Sequence, residues 1–308
     1  MTESHLPWAT EEAARRISDA LEEPGWLLDE RLDAAHRVAD LPDESNTLWT
    51  TYLDLRPVRF DEVTPYGVAE AGRTPDAADE AALPLGAAAL LHVAADRVVG
   101  RALSPQARAA DVFVGTFAEA LRDRPEILRS AIDGGRTIAS DDRFGQVARA
   151  IATLGVLVHV PPGVELSEPI VLRWSAGEAG RALLSRSAVV IGDGSRAGLL
   201  EELVPGAGPV AMAESSEAQQ SQWWGTSEVV LGDGSALHLA GLQDFGPATA
   251  SFVTRTATTG RDAALDWALA HVGGAWSKSR IDNHLVGQGS SVHQAEIAFG
   301  GGSQVFDL

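Results

Sequence analysis

VVIGDGS at Val189–Ser195 returns 40 residues later as VVLGDGS at Val229–Ser235, and more loosely, after a further 55, as HLVGQGS at His284–Ser290. In each copy an apolar strand runs into Gly-x-Gly-Ser and another strand follows. Glycines there supply turn conformations that residues with a Cβ resist. A chain repeating strand, corner and strand is expected to wind as a β-solenoid, and coils of roughly 20–25 residues would set these corners two or more coils apart. Two unrelated hairpin turns are the alternative that the repeats alone leave open.

The same texture fills the chain from Gly155 onward. VLVHV, IVLRW, LLSRSAVVIG, AGLLEEL, SEVVLG, ALHLAGL, SFVTRTA, ALDWALAHV, HLVGQG and SVHQAEIA are short apolar runs separated by turns. No long helix separates them, which disfavours βαβ units and leaves a sandwich, a barrel or a solenoid. Upstream the pattern is helical. Thr10 is a suitable N-cap for a helix from Glu11 to about Leu21, and Trp26, Leu27, Arg31, Ala34, Ala35 and Val38 recur at the spacing of a second, ending near Leu41-Pro42. Pro57–Leu83, acidic and rich in Ala, Gly and Pro, reads as loop or linker. ALLHV and RVVGRAL, with a turn at Ala95-Asp96, predict a β-hairpin. Phe113–Ile132 reads as helix interrupted at Pro125, and Arg143–Leu154 as a further helix. The chain therefore divides into an N-terminal helical region and linker (1–85), a hairpin and helical lead-in (86–154) and a β core (155–308).

Composition removes several functions. The net charge is −19, with Lys278 the only lysine, which argues against a nucleic-acid surface. Residues 1–80 hold 19 Asp+Glu against 7 Arg, as expected of a separate, solvated acidic module. No run of 18 apolar residues offers a membrane-spanning helix, and MTESHLPWATEEAARR does not read as a secretory signal. Cysteine is absent, so the 308 residues supply no disulfide and no thiolate ligand.

Four stretches resemble the SufB/SufD family of iron–sulfur cluster assembly proteins. GVLVHVPPGVELSEPIVL at Gly155–Leu172 is similar to the family's entry into its β core. EPGWLLDERLDAAHRVADLP resembles the SufD helical lead-in, VVIGDGSRAGLLEELV a coil with a Gly-x-Gly corner, and SRIDNHLVGQGSSVHQAEIAFGGGSQVFDL a later coil. The resemblance implies a mainly β protein with an α-helical N-terminal region and a right-handed parallel β-helix core. Leu203 follows Leu200-Glu201-Glu202, and the cysteines usual in SufB-like members are missing, which favours SufD. Family members continue beyond the position of Leu308, so the chain is expected to be C-terminally truncated.

What the resemblance implies about function is a cytoplasmic scaffold subunit of the SufBCD complex, not an enzyme. It would pair with SufB through the β-helix and with the SufC ATPase through a C-terminal helical domain. No cofactor is expected to be held by this chain alone, and a transient iron–sulfur cluster would form at the interface with SufB. No catalytic or cofactor-binding residue is assigned. His284 and His293 are the metal candidates, although with His271 they match no HxH or HExxH spacing, and ordinary coil or surface histidines are the alternative. Glu201 and Glu202 could offer oxygen ligands, but neighbours on a strand face opposite ways, so at most one could face a site. Trp223-Trp224 reads as an exposed interface anchor or as packing at a corner. Ser277 before Lys278 departs from a P-loop, and Asp193 and Asp233 lack the tandem repeat of calcium solenoids. A carbohydrate-active β-helix enzyme and a purely structural solenoid remain as alternatives.

Overall fold

The computed structural model describes residues 6–42, 55, 57–67, 81–132, 138–206 and 219–308. Helix α1 (Glu11–Ala20) starts as the sequence predicts: the Thr10 hydroxyl accepts the Ala13 N–H at 3.1 Å. Helix α2 (Gly25–Asp40) follows Pro24 and buries Leu27, Ala34, Ala35 and Val38, together with Glu30 and Arg31. A short strand β1 (Thr64–Pro65) lies within the stretch expected to be loop, of which 68–80 fall outside the described residues. The expected hairpin is present as β2 (Ala89–Ala94) and β3 (Arg97–Leu103), antiparallel around Ala95. A short helix α3 (Pro105–Ala109) follows.

Phe113–Ile132 differs from its expected helix. It divides into strand β4 (Phe113–Thr116) and helices α4 (Phe117–Asp123) and α5 (Pro125–Ile132). Thr116 is the reason. Its hydroxyl accepts the Glu119 N–H while the Glu119 carboxylate accepts the Thr116 N–H at 2.7 Å, a reciprocal cap that starts α4 at Phe117. Helix α6 (Arg143–Ile151) stops short of Leu154, which opens the next strand.

From there the chain is strand after strand: β5 (Leu154–Val160), β6 (Ile170–Ala176), β7 (Arg181–Ile191), β8 (Arg196–Pro205), β9 (Ser221–Leu231), β10 (Ala236–Gln243), β11 (Thr249–Thr259), β12 (Ala264–His271), β13 (Trp276–Leu285), β14 (Ser291–Ala298) and β15 (Val305–Asp307). Odd-numbered strands build one sheet, in the order β15-β13-β11-β9-β7-β5-β4, with β1 against β7. Even-numbered strands build a second, β14-β12-β10-β8-β6-β2, with β3 at its edge. From β5 on, each strand pairs in parallel with the strand two places later.

The first two glycine corners stack directly on one another, not two or more turns apart as the repeat predicts, whereas the second and third stand two apart as predicted, with Gly260 between them. The N–H of Gly192 bonds to Val160 O, Gly232 to Ile191 O, Gly260 to Leu231 O and Gly287 to Thr259 O, all at 2.8–2.9 Å. The offset of 40 between the first two copies reflects the long connection 206–220. Glycine is demanded by the stacking itself. A Cβ on Gly232 would stand 2.3 Å from Asp193 Oδ1, the oxygen that accepts the Asp233 N–H at 2.9 Å. Asp233 in turn accepts Arg261 through backbone and guanidinium. Both corner carboxylates are thus bonded to the next coil.

Two apolar layers result. Between the sheets lie Val156, Leu172, Trp174, Leu183, Val189, Trp223, Val229 and Trp267. On the outer face of the odd-numbered sheet, Leu184, Trp224, Phe252 and Trp276 meet Ala34, Val38, Phe144, Val147 and Ile151 of the helices. Trp223 and Trp224 are neither exposed nor at a corner. They sit in β9 at 2% and 0% exposure, and strand alternation sends them into the two different layers. Trp224 stacks on Phe252 at 4.3 Å.

Charges hold the helices to one another, and the α6 cap ties them to the sheet. Arg149, 1% exposed, reaches Glu30 at 2.6 Å and Asp33 at 2.8 Å, and Arg31 grips Glu23 through two bonds of 2.6 Å. Asp142 caps α6 by accepting the Gly145 N–H at 3.0 Å and also accepts the Thr254 hydroxyl of β11.

Two outcomes are expected. Arg149→Ala strands the buried Glu30 charge and lowers the unfolding free energy by about 3–5 kcal/mol, whereas Arg37→Ala, at a surface pair with Asp33, shifts the urea midpoint little. Burial pushes the Asp142 carboxyl above its ordinary range, opposed by the Thr254 hydrogen bond. The stability it contributes is therefore fully present below the unfolded-state value of about 4 and is lost as pH rises through the folded-state value. Asp142→Asn, which retains a capping side chain, should gain on wild type in urea unfolding between about pH 4 and pH 7. A difference constant across that range would show that the buried carboxyl does not titrate upward.

Candidate functional site

The space between the two sheets changes character along the strand order. Inward positions of β8 are Ala197, Leu199, Glu201 and Leu203, so one carboxylate stands in a line of aliphatic side chains. Burying it demands a partner. Its register row continues through Gly241 and Leu269 to Glu296. Gly241 leaves room above Glu201: a Cβ there would approach Arg255 Nη2 to 3.8 Å and Leu269 Cδ2 to 2.7 Å. Arg255 enters from β11 in the facing sheet, in phase with inward-facing Val253 and Ala257.

Arg255 Nη2 donates to Glu201 Oε2, and both side chains are almost wholly buried. Arg255 Nε and Nη1 have no hydrogen-bond partner among the described residues. Glu296 is held below the ordinary carboxylate range, first by the hydrogen bond with His271, against burial, and also by the Arg255 charge. His271 Nε2 lies 2.8 Å from Glu296 Oε1, and the histidine is 3% exposed.

The next row is polar as well. Gln243 donates to Ser277 at 3.0 Å and accepts the Gly273 N–H at 3.1 Å, while the Ser251 and Ser277 hydroxyls lie 2.8 Å apart. These hydroxyls bond to each other and to Gln243, so the cluster displays no serine activated by a histidine. It offers a buried guanidinium bonded to Glu201 and close enough to Glu296 to help hold that carboxyl down, with Nε and Nη1 unpaired among the described residues.

The residues singled out by sequence fall in different places. Glu201 and Glu202 do face opposite ways, the first into this cluster and the second onto Arg173 at 2.6 Å on the outer face. His271 points inward, His293 lies exposed on the outer face of the even-numbered sheet, and His284 is exposed near the end of β13. The structure does not bring His284 and His293 together, and among the described residues no group of three His, Asp or Glu is arranged to hold a metal ion. Lys278 sits within β13, paired with Asp307 at 2.6 Å, and belongs to no phosphate loop. His5 lies outside the described residues. A pocket of about 60 Å³ beneath α2 and α4 is lined by Glu23, Arg31 and Arg186, whose charges are committed to one another and to Glu228.

Arg255 and the His271–Glu296 link were missed by motif reading. Their signal was alternation: in SFVTRTATT and ALDWALAH a charged or polar residue occupies the inward phase.

Residues 173–308 match the family model described as the SufBD core domain of the SUF system for FeS cluster assembly. Over 97% of its length the chain is similar to proteins named iron–sulfur cluster assembly SufBD family protein. It is 21% identical to one from Staphylococcus haemolyticus, 22% to one from Staphylococcus epidermidis and 20% to one from Staphylococcus aureus. The chain spans 64% of the length of these relatives. The matched residues contain the strands from β7 to β15 and the whole charged cluster, and over them the chain is similar to the SufB/SufD family.

Proposed function

We propose that this chain is a SufD-like scaffold subunit of an iron–sulfur cluster assembly complex. The observation that carries the reading is the coincidence of the family match at 173–308 with the coils whose interior turns from apolar to charged. The pairing of each strand with the one two places later supports a right-handed parallel β-helix, since parallel crossovers are right-handed in nearly all proteins. Such a winding gives a stiff body on which partners can be held at set positions.

In this reading the protein contributes geometry and the chemistry lies elsewhere. The chain has no cysteine, so thiolates for a nascent cluster come from a SufB-type partner. ATP hydrolysis belongs to a SufC-type ATPase, and the cluster is cargo passing through the interface with SufB. The setting is the cytoplasm. Among the described residues no helix is long and apolar enough to cross a membrane.

The test is co-expression, under anaerobic conditions, of the full-length protein with SufB-type and SufC-type partners, the affinity tag being on this protein alone. Co-elution of both partners, with visible iron–sulfur absorption, is the expected result. A colourless protein that elutes alone and ignores both partners would end the assembly reading.

A further inference from the structure

Arg186 interrupts an apolar layer. On the outer face of the odd-numbered sheet its neighbours along β7 are Leu184 and Ala188, and its counterpart on β5 is Gly155, which has no side chain. The Phe117 ring takes that place, so that a Cβ on Gly155 would collide with its Cδ2. Helix α4 is thereby held close to the sheet, and the space left beneath α2 and α4 is the pocket of about 60 Å³.

Two kinds of surface line it. Leu21, Leu27, Leu121 and Leu154 are apolar. Against them stand Arg31 and Arg186, which are 5% and 2% exposed. Arg31 donates Nε and Nη2 to Glu23 and Nη1 to Ala150 O. Arg186 donates to Glu228 through Nε at 3.2 Å and Nη2 at 2.6 Å, bonds that leave Nη1 for a further acceptor. Thr153 lines the same pocket, and its buried hydroxyl has no partner among the described residues.

We propose that this pocket binds a small uncharged molecule with an apolar body and one acceptor oxygen, such as a short ketone, its oxygen taking the Arg186 Nη1 proton. Size follows from the volume. A water needs about 10–15 Å³ of such space, so about four to six non-hydrogen atoms fit. Charge follows from the ion pairs. Each guanidinium already faces a carboxylate at 2.6 Å. An added carboxylate would be buried without a counter-ion of its own, and an ammonium would meet two guanidiniums. A carbonyl oxygen gains a charge-assisted hydrogen bond and brings no charge to be desolvated. Neither ion pair has to break. The site stands whether or not the chain assembles clusters.

The full chain, carrying isotope-labelled leucine methyl groups, is titrated with butanone and, separately, with propionate, and followed by NMR. The two probes have equal numbers of non-hydrogen atoms and differ in charge. Butanone should shift the Leu21, Leu27, Leu121 and Leu154 methyl signals to saturation, with a millimolar dissociation constant, as expected of so few atoms. Propionate should bind about tenfold more weakly or worse, because its charge would be buried unpaired. Ala118 lines the pocket but is exposed, so Ala118→Trp obstructs it without disturbing the core. That variant, and Leu121→Phe from the pocket wall, should each weaken butanone binding by about tenfold or more. Unchanged methyl signals elsewhere show that each variant is folded. Shifts that do not saturate, propionate binding as tightly as butanone, or butanone binding that survives both substitutions would overturn the assignment.

Discussion

Each strand beyond Leu154 pairs in parallel with the strand two places later, so a residue's neighbours are its counterparts in the adjoining coils. This in-register stacking is the constraint on which the rest of the structure depends. It demands corners that superimpose, and superposition demands glycine where one corner's aspartate meets the backbone of the next. It also makes like positions meet. Aromatics meet aromatics, as Trp224 meets Phe252, and polar side chains meet polar side chains, as Ser251 meets Ser277.

Charge burial is the counterpart of that regularity. Removing an ion from water costs several kcal/mol even after relaxation, so a buried pair is weak evidence of net stabilisation. Arg149 with Glu30 and Arg31 with Glu23 act as orienting contacts. They fix the helices against one another, while the helices hold to the sheet through Trp224, Phe252 and Phe144. The Glu201–Arg255 pair is different. It occupies positions that aliphatic side chains fill elsewhere and leaves two guanidinium nitrogens without partners among the described residues. Packing alone gives no reason for that expense, and the cluster lies within the residues that match the SufBD core.

Much of the architecture was legible in the chain. Thr10 marked α1, Pro24 preceded α2, and the short apolar runs separated by turns after Gly155 marked nearly every strand. Phe113–Ile132 was misread because its apolar spacing suits a helix, while the Thr116–Glu119 cap and the pairing of Phe113–Thr116 with β5 divide it. Trp223-Trp224 was misread because its polar flanks suggest a surface, yet the flanking Gln222 and Thr226 are themselves buried, Gln222 bonding to Arg59 O. The spacing of the first two corners was misjudged because the long connection between β8 and β9 lengthens that one repeat.

The sequence by itself determined the local matters: where helices are capped, which strand residues share a face, where the backbone needs glycine, and that no thiolate is available. These follow from propensity, period-two alternation and composition, which act between residues close in the chain. Tertiary structure alone decided which residues meet across coils. That Glu201 faces Arg255 and that His271 joins Glu296 depends on register between segments separated by 25 to 54 residues. Register is set by the backbone pairing between neighbouring strands, and a slip of that pairing by one residue would turn each of these side chains to the opposite face.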